Sequence, residues 1–399
     1  MKVLVINAGS SSLKYQIIEM DTETMLCKGV VEKIGAENAC LVHKPEGKPK
    51  YEKVEPIANH TEALQKVLAI LCDKTYGIIN DVSEIKAVGH RILHSGEDFT
   101  DSVLIDDNVL AICKKNAVLG PLHMPANIAC IESCQKIMPG VPMTAVFDTS
   151  FHLSMPKYAY MYGIPYEDYE KFKIRKYGFH GTSHKFVSQT VIEWLGKKNC
   201  KRMITCHLGN GSSLAAIKDG KVIDTSMGLT PLEGLVMGTR SGDLDPAVVE
   251  FMAKCRNISV EEVLTILNKK SGFWGIAGKS DCRELCEMID AGDEKAKLAL
   301  DMFAYRTKKY IGSYVAALNG VDVIVFTGGI GENSEYVRDL ILKDLQCFGV
   351  EYDVDANKKM IRGAQGLISK PSSKVKVIVQ PTNEELVIAR DAVKCAKLK

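Results

Sequence analysis

Residues 2–18, KVLVINAGSSSLKYQII, contain a short apolar run, a turn of glycine and serine, and a second apolar run. Two apolar runs on either side of such a turn are typical of a β-hairpin. We therefore expect strands over residues 2–6 and 13–18, and the apolar pattern of residues 25–32 predicts a third strand after them. Three successive strands are thus predicted to open the chain.

A second stretch, residues 203–217, repeats this pattern and reads MITCHLGNGSSLAAI. A shift of 201 residues places the SSL of residues 11–13 on the SSL of residues 212–214. The identity is short, so a chance likeness between two hairpins is the alternative. One copy at the start of each half of the chain favours two similar lobes with a cleft between them.

Helical patterns alternate with short strands through the rest of the chain, which predicts the α/β class. In the first half, residues 63–71 carry apolar side chains at helical spacing, and a short strand at residues 87–89 precedes a polar loop. In the second half, residues 259–262 form a capping box that opens a helix. The last third predicts, in chain order, a helix over about 293–318, a strand over 321–326, a glycine turn over 327–333, a strand over 375–379 and a helix from Glu384.

The 399 residues are enough for two domains that each bury a core. We place the boundary near residue 150, because an apolar strand ends at Asp148 and a stretch rich in proline and tyrosine follows it. The predicted domains are residues 1–150 and 151–384. The final helix, about residues 385–399, is expected to pack back on the first domain.

The composition excludes several classes of protein. Basic side chains number 51 against 49 acidic ones, and this net charge of +2 is not the basic excess that nucleic acid or anionic lipid attracts. No run approaches the roughly 18 apolar residues of a membrane span, and the N-terminus lacks the apolar region of a signal peptide. We expect a cytoplasmic protein that binds neither nucleic acid nor membrane.

The 13 cysteines are an odd number without a Cys-x-x-Cys pair, which is typical of reduced thiols in a cytosolic protein. Cys130 with Cys134, and Cys282 with Cys286, have the i,i+4 spacing that places two sulfurs on one helix face. Such pairs could bind a metal. We favour the alternative that they are buried, because a free cysteine packs as a small apolar side chain.

Three turns rich in glycine or serine come directly after apolar strands, at residues 7–12, 209–213 and 328–331. Glycine lets backbone N–H groups approach a phosphate, and serine hydroxyls add further donors. A hairpin needs the same residue types, so one turn alone indicates little, whereas three in one chain favour phosphate binding. None of the turns matches the P-loop or the dinucleotide-binding signature.

Four charged side chains near glycines or strand ends are candidate ligand-binding residues. Lys14 follows the first turn, Arg91 follows a short apolar strand, and Arg240 lies in a predicted loop flanked by Gly238 and Gly242. The guanidinium fork suits carboxylates and phosphates, although each of these cations could instead be a solvated surface residue. Asp148 follows an apolar strand at the position where α/β sheets bind ligands, and a turn or helix cap is its alternative.

His180 and His184 lie four residues apart in GFHGTSH, residues 178–184. This spacing could bind zinc on a helix, but residues 181–183 indicate a turn and a helix start, and no glutamate follows His180 as in the His-Glu-x-x-His motif. An imidazole next to glycine could instead donate a hydrogen bond to a developing oxyanion. Structural roles are expected for the other histidines considered: His90, His94, His123 and His207.

These motifs resemble those of the acetate kinase family, in the superfamily of sugar kinases, Hsp70 and actin. The resemblance runs the full length and is carried by five segments: NAGSSSLK at 7–14, GFHGTSH at 178–184, HLGNG at 207–211, GGIGEN at 328–333 and PTNEE at 381–385. It implies two similar ribonuclease H-like lobes with a duplicated βββαβαβα core, which is the actin-like ATPase fold. The second lobe would bind the nucleotide.

The resemblance also implies an activity, which is reversible transfer of the γ-phosphoryl group of ATP to acetate, giving acetyl phosphate and ADP. It implies Mg²⁺ as the metal, with Mn²⁺ as the alternative, and a homodimer. The catalytic side chains would be Arg91, Asp148, His180 and Arg240, and the magnesium ligands would be Asn7 and Glu384, directly or through water.

The resemblance also implies which residues would bind the two substrates. Those around acetate are Arg91, Leu93, Leu122, Phe179 and Pro231. Those around ATP or ADP are Lys14, His207, Leu208, Gly209, Asn210, Gly211, Asp281, Cys282, Arg283, Gly329, Ile330, Gly331, Glu332 and Asn333. Leu93 stands where the family often has valine, so the preference between acetate and propionate stays open.

We expect direct in-line transfer without a phosphoenzyme, because positioning and cationic stabilisation dominate the loose transition state of phosphoryl transfer. Acetate is already ionised near neutral pH, so Asp148 is expected to orient an arginine or a magnesium-bound water. A propionate or butyrate kinase of the same fold is the first alternative, and a pyrophosphate-using relative leaves the donor open. The second is an actin- or Hsp70-like ATPase, which we disfavour because the chain ends shortly after its last predicted helix.

Overall fold

The strands of the chain form two sheets, one in each of two compact units. The computed structural model describes residues 1–121 and 123–398. The first unit comprises Met1–Ser150 and the C-terminal segment from Asn383 onward. The second unit comprises Phe151–Thr382.

The first unit begins with a run of antiparallel strands and continues with helices that alternate with strands. Its strands are β1 (Lys2–Ala8), β2 (Ser12–Glu19), β3 (Thr24–Glu32), β4 (Cys40–Pro45), β5 (Tyr51–Val54), β6 (Ile85–Ile92), β7 (Val103–Leu104) and β8 (Met143–Phe147). Its helices before residue 150 are α1 (His60–Leu71), α2 (Asp107–Lys115) and α3 (Met124–Ile137). Short 3₁₀ segments cover Val82–Glu84 and Asn116–Leu119, and a third, Ser150–His152, begins at the last residue of this part of the unit.

The second unit has the same alternation with more helices. These are α4 (Lys157–Tyr160), α5 (Tyr166–Phe172), α6 (Gly181–Leu195), α7 (Ala247–Arg256), α8 (Val260–Lys269), α9 (Gly272–Ala277), α10 (Cys282–Asp290), α11 (Glu294–Leu318), α12 (Gly328–Asn333), α13 (Glu335–Leu342) and α14 (Val354–Lys359). Its strands are β9 (Arg202–Leu208), β10 (Ser212–Lys218), β11 (Lys221–Thr225), β12 (Val323–Thr327), β13 (Gly366–Leu367) and β14 (Lys376–Val379). Helix α15 (Glu384–Cys395) ends the chain and belongs to the first unit.

Both sheets contain the same arrangement of five strands. An antiparallel meander of three strands is followed, beside its first strand, by two parallel strands, in the orders β3-β2-β1-β6-β8 and β11-β10-β9-β12-β14. Strands β4, β5 and β7 extend the first sheet, and β13 extends the second. The two meanders begin with the two sequence stretches that read alike, so the predicted α/β class and the duplication are confirmed.

Helices cover both faces of each sheet, which explains why the central strands are largely apolar. In the first unit, Leu4 and Ile6 pack in one core with Leu64 of α1. On the opposite face, α15 approaches β6 so closely that a Cβ at Gly89 would lie 2.4 Å from the side chain of Ile388.

The second unit is layered in the same way. Leu300 and Phe303 of α11 contribute to the core on one face of its sheet, together with Ile324 of β12. The other face packs against α6, where Val187 and Val191 lie in a second apolar cluster. The core of each unit therefore lies on both sides of its sheet.

Two local predictions were wrong. Residues after 89 do not form a loop, because β6 continues to Ile92 and Arg91 pairs in register with Asn7 of β1 and Val146 of β8. Residues 328–333 of the predicted glycine turn, 327–333, form the short helix α12, with Thr327 as its N-cap. Only Gly328 of its glycines has a positive φ, 77°, and the Glu332 carboxylate accepts a hydrogen bond from the Gly328 N–H at 2.9 Å, which stabilises the first turn.

Across residues 1–121 and 123–398, no helix combines the length and the apolar character that a bilayer crossing requires.

Candidate active site

Arg91 is the centre of a polar cluster in the first unit. Its Nε donates a hydrogen bond to Asp148 Oδ1 at 3.0 Å, and its Nη2 donates to Asp148 Oδ2. Its Nη1 donates to Asn7 Oδ1 at 3.0 Å. The three side chains come from the carboxyl ends of the parallel strands β1, β6 and β8, which meet at one edge of the sheet. The arginine is thereby held in one orientation.

The charges of this cluster depend on one another. The Asp148 side chain is 1% exposed, and this burial raises its pKa while the Arg91 guanidinium acts to lower it. Burial also acts to lower the pKa of Arg91, but the carboxylates of Asp148 and Glu384 outweigh it and raise that pKa. The bidentate geometry favours an ionised pair, because each charge would be costly to bury alone.

Further predicted residues of the first unit include Lys14, Leu93 and Leu122. Lys14 faces a cavity of about 260 Å³ that is also lined by Asn7 and by two lysines that sequence reasoning missed, Lys28 and Lys44. Leu93 is buried, and its backbone N–H donates to Asn127 Oδ1 at 3.1 Å. Leu122 lies outside the described residues.

His180 and Arg240 converge on one point in the second unit. A Cβ at Gly211 would lie 3.4 Å from His180 Nε2 and 3.5 Å from both Nη1 and Nη2 of Arg240. Glycine at this position therefore leaves room between an imidazole and a guanidinium. Two groups that can donate hydrogen bonds border the same small volume.

Arg240 is partly buried and has no carboxylate partner among the described residues. Its Nη1 donates to the backbone carbonyl of Pro231 at 3.0 Å and lies 3.5 Å from the sulfur of Met237. Burial lowers the pKa of Arg240, but an arginine stays protonated in proteins. A cation without a neighbouring carboxylate suits an anionic ligand.

The backbone at His180 is strained in a way that is uncommon for a residue other than glycine. Its φ is 59°, in the left-handed region, directly before α6 begins at Gly181. The preceding carbonyl, of Phe179, accepts a hydrogen bond from His152 Nε2 at 3.0 Å. Strain of this kind is often found at functional sites.

A group of buried histidines surrounds His180. Its ring stacks on that of His207, with centroids 4.2 Å apart, and His207 Nδ1 is 2.7 Å from the Ser183 hydroxyl. His184 is fully buried, and burial lowers its pKa well below the ordinary value. Burial also lowers the pKa of His152, to about 4. The neutral form is therefore favoured for these last two imidazoles.

The second unit also contains a cavity of about 1120 Å³. Eight of its lining residues were assigned to the ATP site by the resemblance: Gly209, Asn210, Asp281, Cys282, Arg283, Gly329, Ile330 and Asn333. The remaining assigned residues of this unit lie outside the lining: His207, Leu208, Gly211, Gly331 and Glu332. Leu208 is fully buried in the core, and Glu332 accepts hydrogen bonds from the N–H groups of Gly328 and Thr382.

Sequence reasoning missed the other side of this cavity. The missed lining residues are Ser280, Cys286, Ile289, Asp290, Ser334, Glu335, Tyr336, Ile361 and Arg362. The spacing of Cys286 and Ile289 from Cys282, on one face of α10, was a signal that could have found two of them. Arg362 had no such signal, because only the tertiary fold brings its N–H to Asn333 Oδ1, at 2.8 Å.

Cys130 and Cys134 lie on α3 and are fully buried in the core of the first unit. Their sulfurs and a ring nitrogen of His90 all lie within 4.8 Å of one another. Among the described residues this group offers three ligands, whereas a closed structural zinc site has four. We therefore interpret both thiols as apolar packing.

Comparison with known proteins establishes the family. The model of the acetokinase family matches residues 2–390. The chain belongs to the acetokinase family. It is 55% identical over 392 residues to acetate kinase of Carboxydothermus hydrogenoformans, with 98% of each chain covered. It is likewise 55% identical over 400 residues to acetate kinase of Thermoanaerobacter pseudethanolicus, covering 100% of this chain and 99% of that one.

Solved structures of this family have the same fold. The acetate kinase of Porphyromonas gingivalis matches with a TM-score of 0.95 at 45% identity, and 99% of each chain is covered. A propionate kinase from Francisella tularensis matches with a TM-score of 0.92 at 41% identity, covering 98% of this chain and 99% of that one. The family, and the actin-like duplicated ATPase fold that the resemblance implied, are confirmed.

Proposed function

We propose that this chain transfers the γ-phosphoryl group of ATP reversibly to acetate, giving acetyl phosphate and ADP. The prediction of acetate kinase function, and hence of a phosphotransferase with a carboxyl group as acceptor, is confirmed by the family match and by full-length identity to acetate kinases. The observation that carries the chemistry is the convergence of His180 and Arg240 on Gly211.

Arg240 and His180 stabilise the phosphoryl group during transfer. The transition state is loose and spreads negative charge over three equatorial oxygens, so fixed donors and cations lower its energy. Arg240 supplies a guanidinium that no described carboxylate neutralises, and His180 supplies an N–H donor. Gly211 supports these roles because a side chain there would fill the volume that both groups border.

Arg91 binds the carboxylate of acetate, and Asp148 orients Arg91. Two hydrogen bonds hold the guanidinium against Asp148, and a third holds it against Asn7. Acetate is ionised near neutral pH and attacks directly, so the reaction needs no general base. Asp148 is therefore a positioning residue, and the phosphoryl group passes from ATP to acetate in line, without a phosphoenzyme.

The first unit also offers ligands for Mg²⁺, which would neutralise phosphate charge when bound. The amide oxygen of Asn7 and the carboxylates of Asp148 and Glu384 are the hard oxygen donors that this ion prefers, so the donor set fits. Glu384 raises the pKa of both Arg91 and Asp148, which supports its position beside them. We assign Asn7 and Glu384 as ligands, directly or through water, and expect Mn²⁺ to substitute.

The cavity of about 1120 Å³ accommodates the nucleotide. The lining glycines Gly209 and Gly329 let a phosphate approach the backbone, and the apolar side chains Ile289 and Ile330 suit a base. We further propose that the protein forms a homodimer in the cytoplasm, as its resemblance to the acetokinase family implies.

A propionate kinase is the second candidate, because a propionate kinase structure matches with a TM-score of 0.92. Leu93, Phe179 and Pro231 are the described residues assigned to the acceptor pocket, and Leu93 is one methylene longer than valine. A longer side chain favours the smaller acid, although one methylene discriminates by only about 10- to 200-fold.

The function is tested by trapping the acyl phosphate with hydroxylamine. Purified protein is incubated with Mg²⁺, each of acetate, propionate and butyrate, and either ATP or pyrophosphate. We expect hydroxamate with ATP, and the highest kcat/KM for acetate. A higher kcat/KM for propionate would make the chain a propionate kinase, and ATP hydrolysis without hydroxamate would contradict both functions.

A further inference from the structure

A chain of hydrogen bonds lies behind His180. Thr205 Oγ1 lies 2.7 Å from His184 Nδ1, and His184 Nε2 lies 2.8 Å from Ser213 Oγ. The same Ser213 oxygen lies 2.9 Å from His180 Nδ1. Thr205, His184 and Ser213 are each fully buried. Two hydroxyls and one imidazole therefore connect the interior of the second unit to His180.

The direction in which these hydrogen bonds donate follows from the number of hydrogens that each group carries. His184 is kept neutral by burial and carries one ring N–H. Each hydroxyl can donate one hydrogen. If Thr205 donates to His184 Nδ1, then His184 Nε2–H donates to Ser213, and Ser213 donates to His180 Nδ1. In this direction every donor of the chain has an acceptor.

The opposite direction leaves one hydrogen without an acceptor. His184 would carry its hydrogen on Nδ1 and donate it to Thr205, and the Thr205 hydroxyl has no other hydrogen-bond partner among the described residues. A buried donor that is left without an acceptor destabilises the folded state. Thr205 therefore sets the direction, although it lies on β9 and is separated from His180 by two other side chains.

We infer that Thr205, His184 and Ser213 are positioning residues that hold His180 as its Nε2–H tautomer. When Nδ1 accepts from Ser213, the ring hydrogen of a neutral His180 must be on Nε2. Nε2 is the nitrogen that borders the volume beside Gly211, and Arg240 borders the same volume. His180 then presents a donor to that volume without being protonated, and no proton has to move during the reaction.

The use of this N–H toward a phosphoryl oxygen rests on the proposed function, whereas the tautomer does not. The two are therefore tested by different measurements. The tautomer is measured on the full-length protein labelled with ¹⁵N-histidine, by two-bond ¹H–¹⁵N correlations that distinguish Nδ1–H from Nε2–H rings. The His180 signals are identified as those lost in His180→Gln.

We expect both His180 and His184 to be neutral Nε2–H rings in the unsubstituted protein. An Nδ1–H ring or a doubly protonated ring at His180 would overturn the inference. This measurement needs no variant of Thr205, so it decides the question even if such a variant fails to fold. Protein with this tautomer but without kinase activity would contradict the proposed function and leave the hydrogen-bond chain standing.

Thr205→Val and Thr205→Ser form a matched pair. Valine keeps the shape and loses the hydroxyl, whereas serine keeps the hydroxyl and loses a methyl group. We expect Thr205→Val to lower kcat about tenfold, equivalent to about 1.4 kcal/mol, with little change in the KM of acetate, and to mix the His180 tautomers. Thr205→Ser should keep both. If serine lowers kcat as much as valine, or valine changes neither kcat nor the tautomer, Thr205 only packs and the inference fails.

Discussion

At the scale of single residues, the two arginines differ in what surrounds them. Arg91 is bonded to a carboxylate that is 1% exposed, whereas Arg240 has only a carbonyl and a sulfur as described partners. Removing Arg91 therefore leaves a buried charge without its partner, and removing Arg240 does not. The same loss of activity is expected from both, with different effects on stability.

For Arg240→Ala we expect kcat to fall by at least about 100-fold, as when other fixed transition-state donors are removed. The free energy of unfolding in urea should change little, because no carboxylate is left unpaired. Arg256→Ala, on the exposed end of α7, is the matched control and should keep its activity. Near-normal activity of Arg240→Ala would remove this arginine from the mechanism.

For Arg91→Ala we expect a similar fall in kcat and, in addition, a loss of about 3–5 kcal/mol of stability from the unpaired Asp148. The double variant Arg91→Ala/Asp148→Asn should recover much of the stability and none of the activity. Urea denaturation and the hydroxamate assay measure the two effects separately. Recovery of activity in the double variant would show that Arg91 acts only through structure.

His152 makes stability depend on pH. Its pKa is lowered to about 4 by burial, so the unfolded chain binds a proton that the folded chain does not as pH falls below the ordinary value of 6.5. Stability should therefore decrease from pH 6.5 toward pH 4, by about 1.4 kcal/mol per pH unit for this group. In His152→Gln, urea denaturation at several pH values should give a smaller slope. An unchanged slope would contradict a buried neutral His152.

The sequence identified the candidate site residues more completely than it identified the side chains to which they are hydrogen-bonded. Arg91, Asp148, His180 and Arg240 lie next to glycines or strand ends, and such positions carry local signals. The pairing of Arg91 with Asp148 joins residues 57 apart and needs the folded sheet. Thr205 was missed because it lies inside an apolar strand and resembles an ordinary β-strand residue.

At the scale of elements, close packing of α15 on β6 explains one glycine. A Cβ at Gly89 would lie 2.4 Å from Ile388 Cγ2 and 3.0 Å from the backbone oxygen of the same residue. Gly89→Ala should therefore destabilise the protein by about 1–3 kcal/mol through overpacking. Gly163→Ala is the control, since a Cβ there meets nothing within 4 Å. Equal thermal unfolding of the two variants would contradict the close approach.

Element predictions succeeded where the pattern was local and failed where tertiary pairing decided. The capping box at Ser259 and the long helix α11 were readable from sequence. The extension of β6 through Arg91 was not, because hydrogen bonds from both neighbouring strands are what keep these polar residues extended. The glycines of α12 predicted a turn, and the Glu332 carboxylate that satisfies the helix start was not recognised.

At the scale of the whole molecule, two sheets with the same five-strand order account for the sequence repeat. The repeat was detectable because the SSL tripeptide lies at the same place in both hairpins, where the turn ends and the second strand begins. The remaining strands and most helices differ between the two units, so the repeat gave no information about them. The strands at the edges of the two sheets, β4, β5, β7 and β13, were therefore not predicted.

Direct transfer from ATP to acetate is tested most closely by the stereochemical course at phosphorus. The measurement uses ATP with a chiral γ-thiophosphoryl group and determines the configuration of the acetyl thiophosphate formed by the full-length protein. A single in-line displacement predicts inversion. Net retention would mean two displacements through a phosphoenzyme, and it would contradict direct transfer.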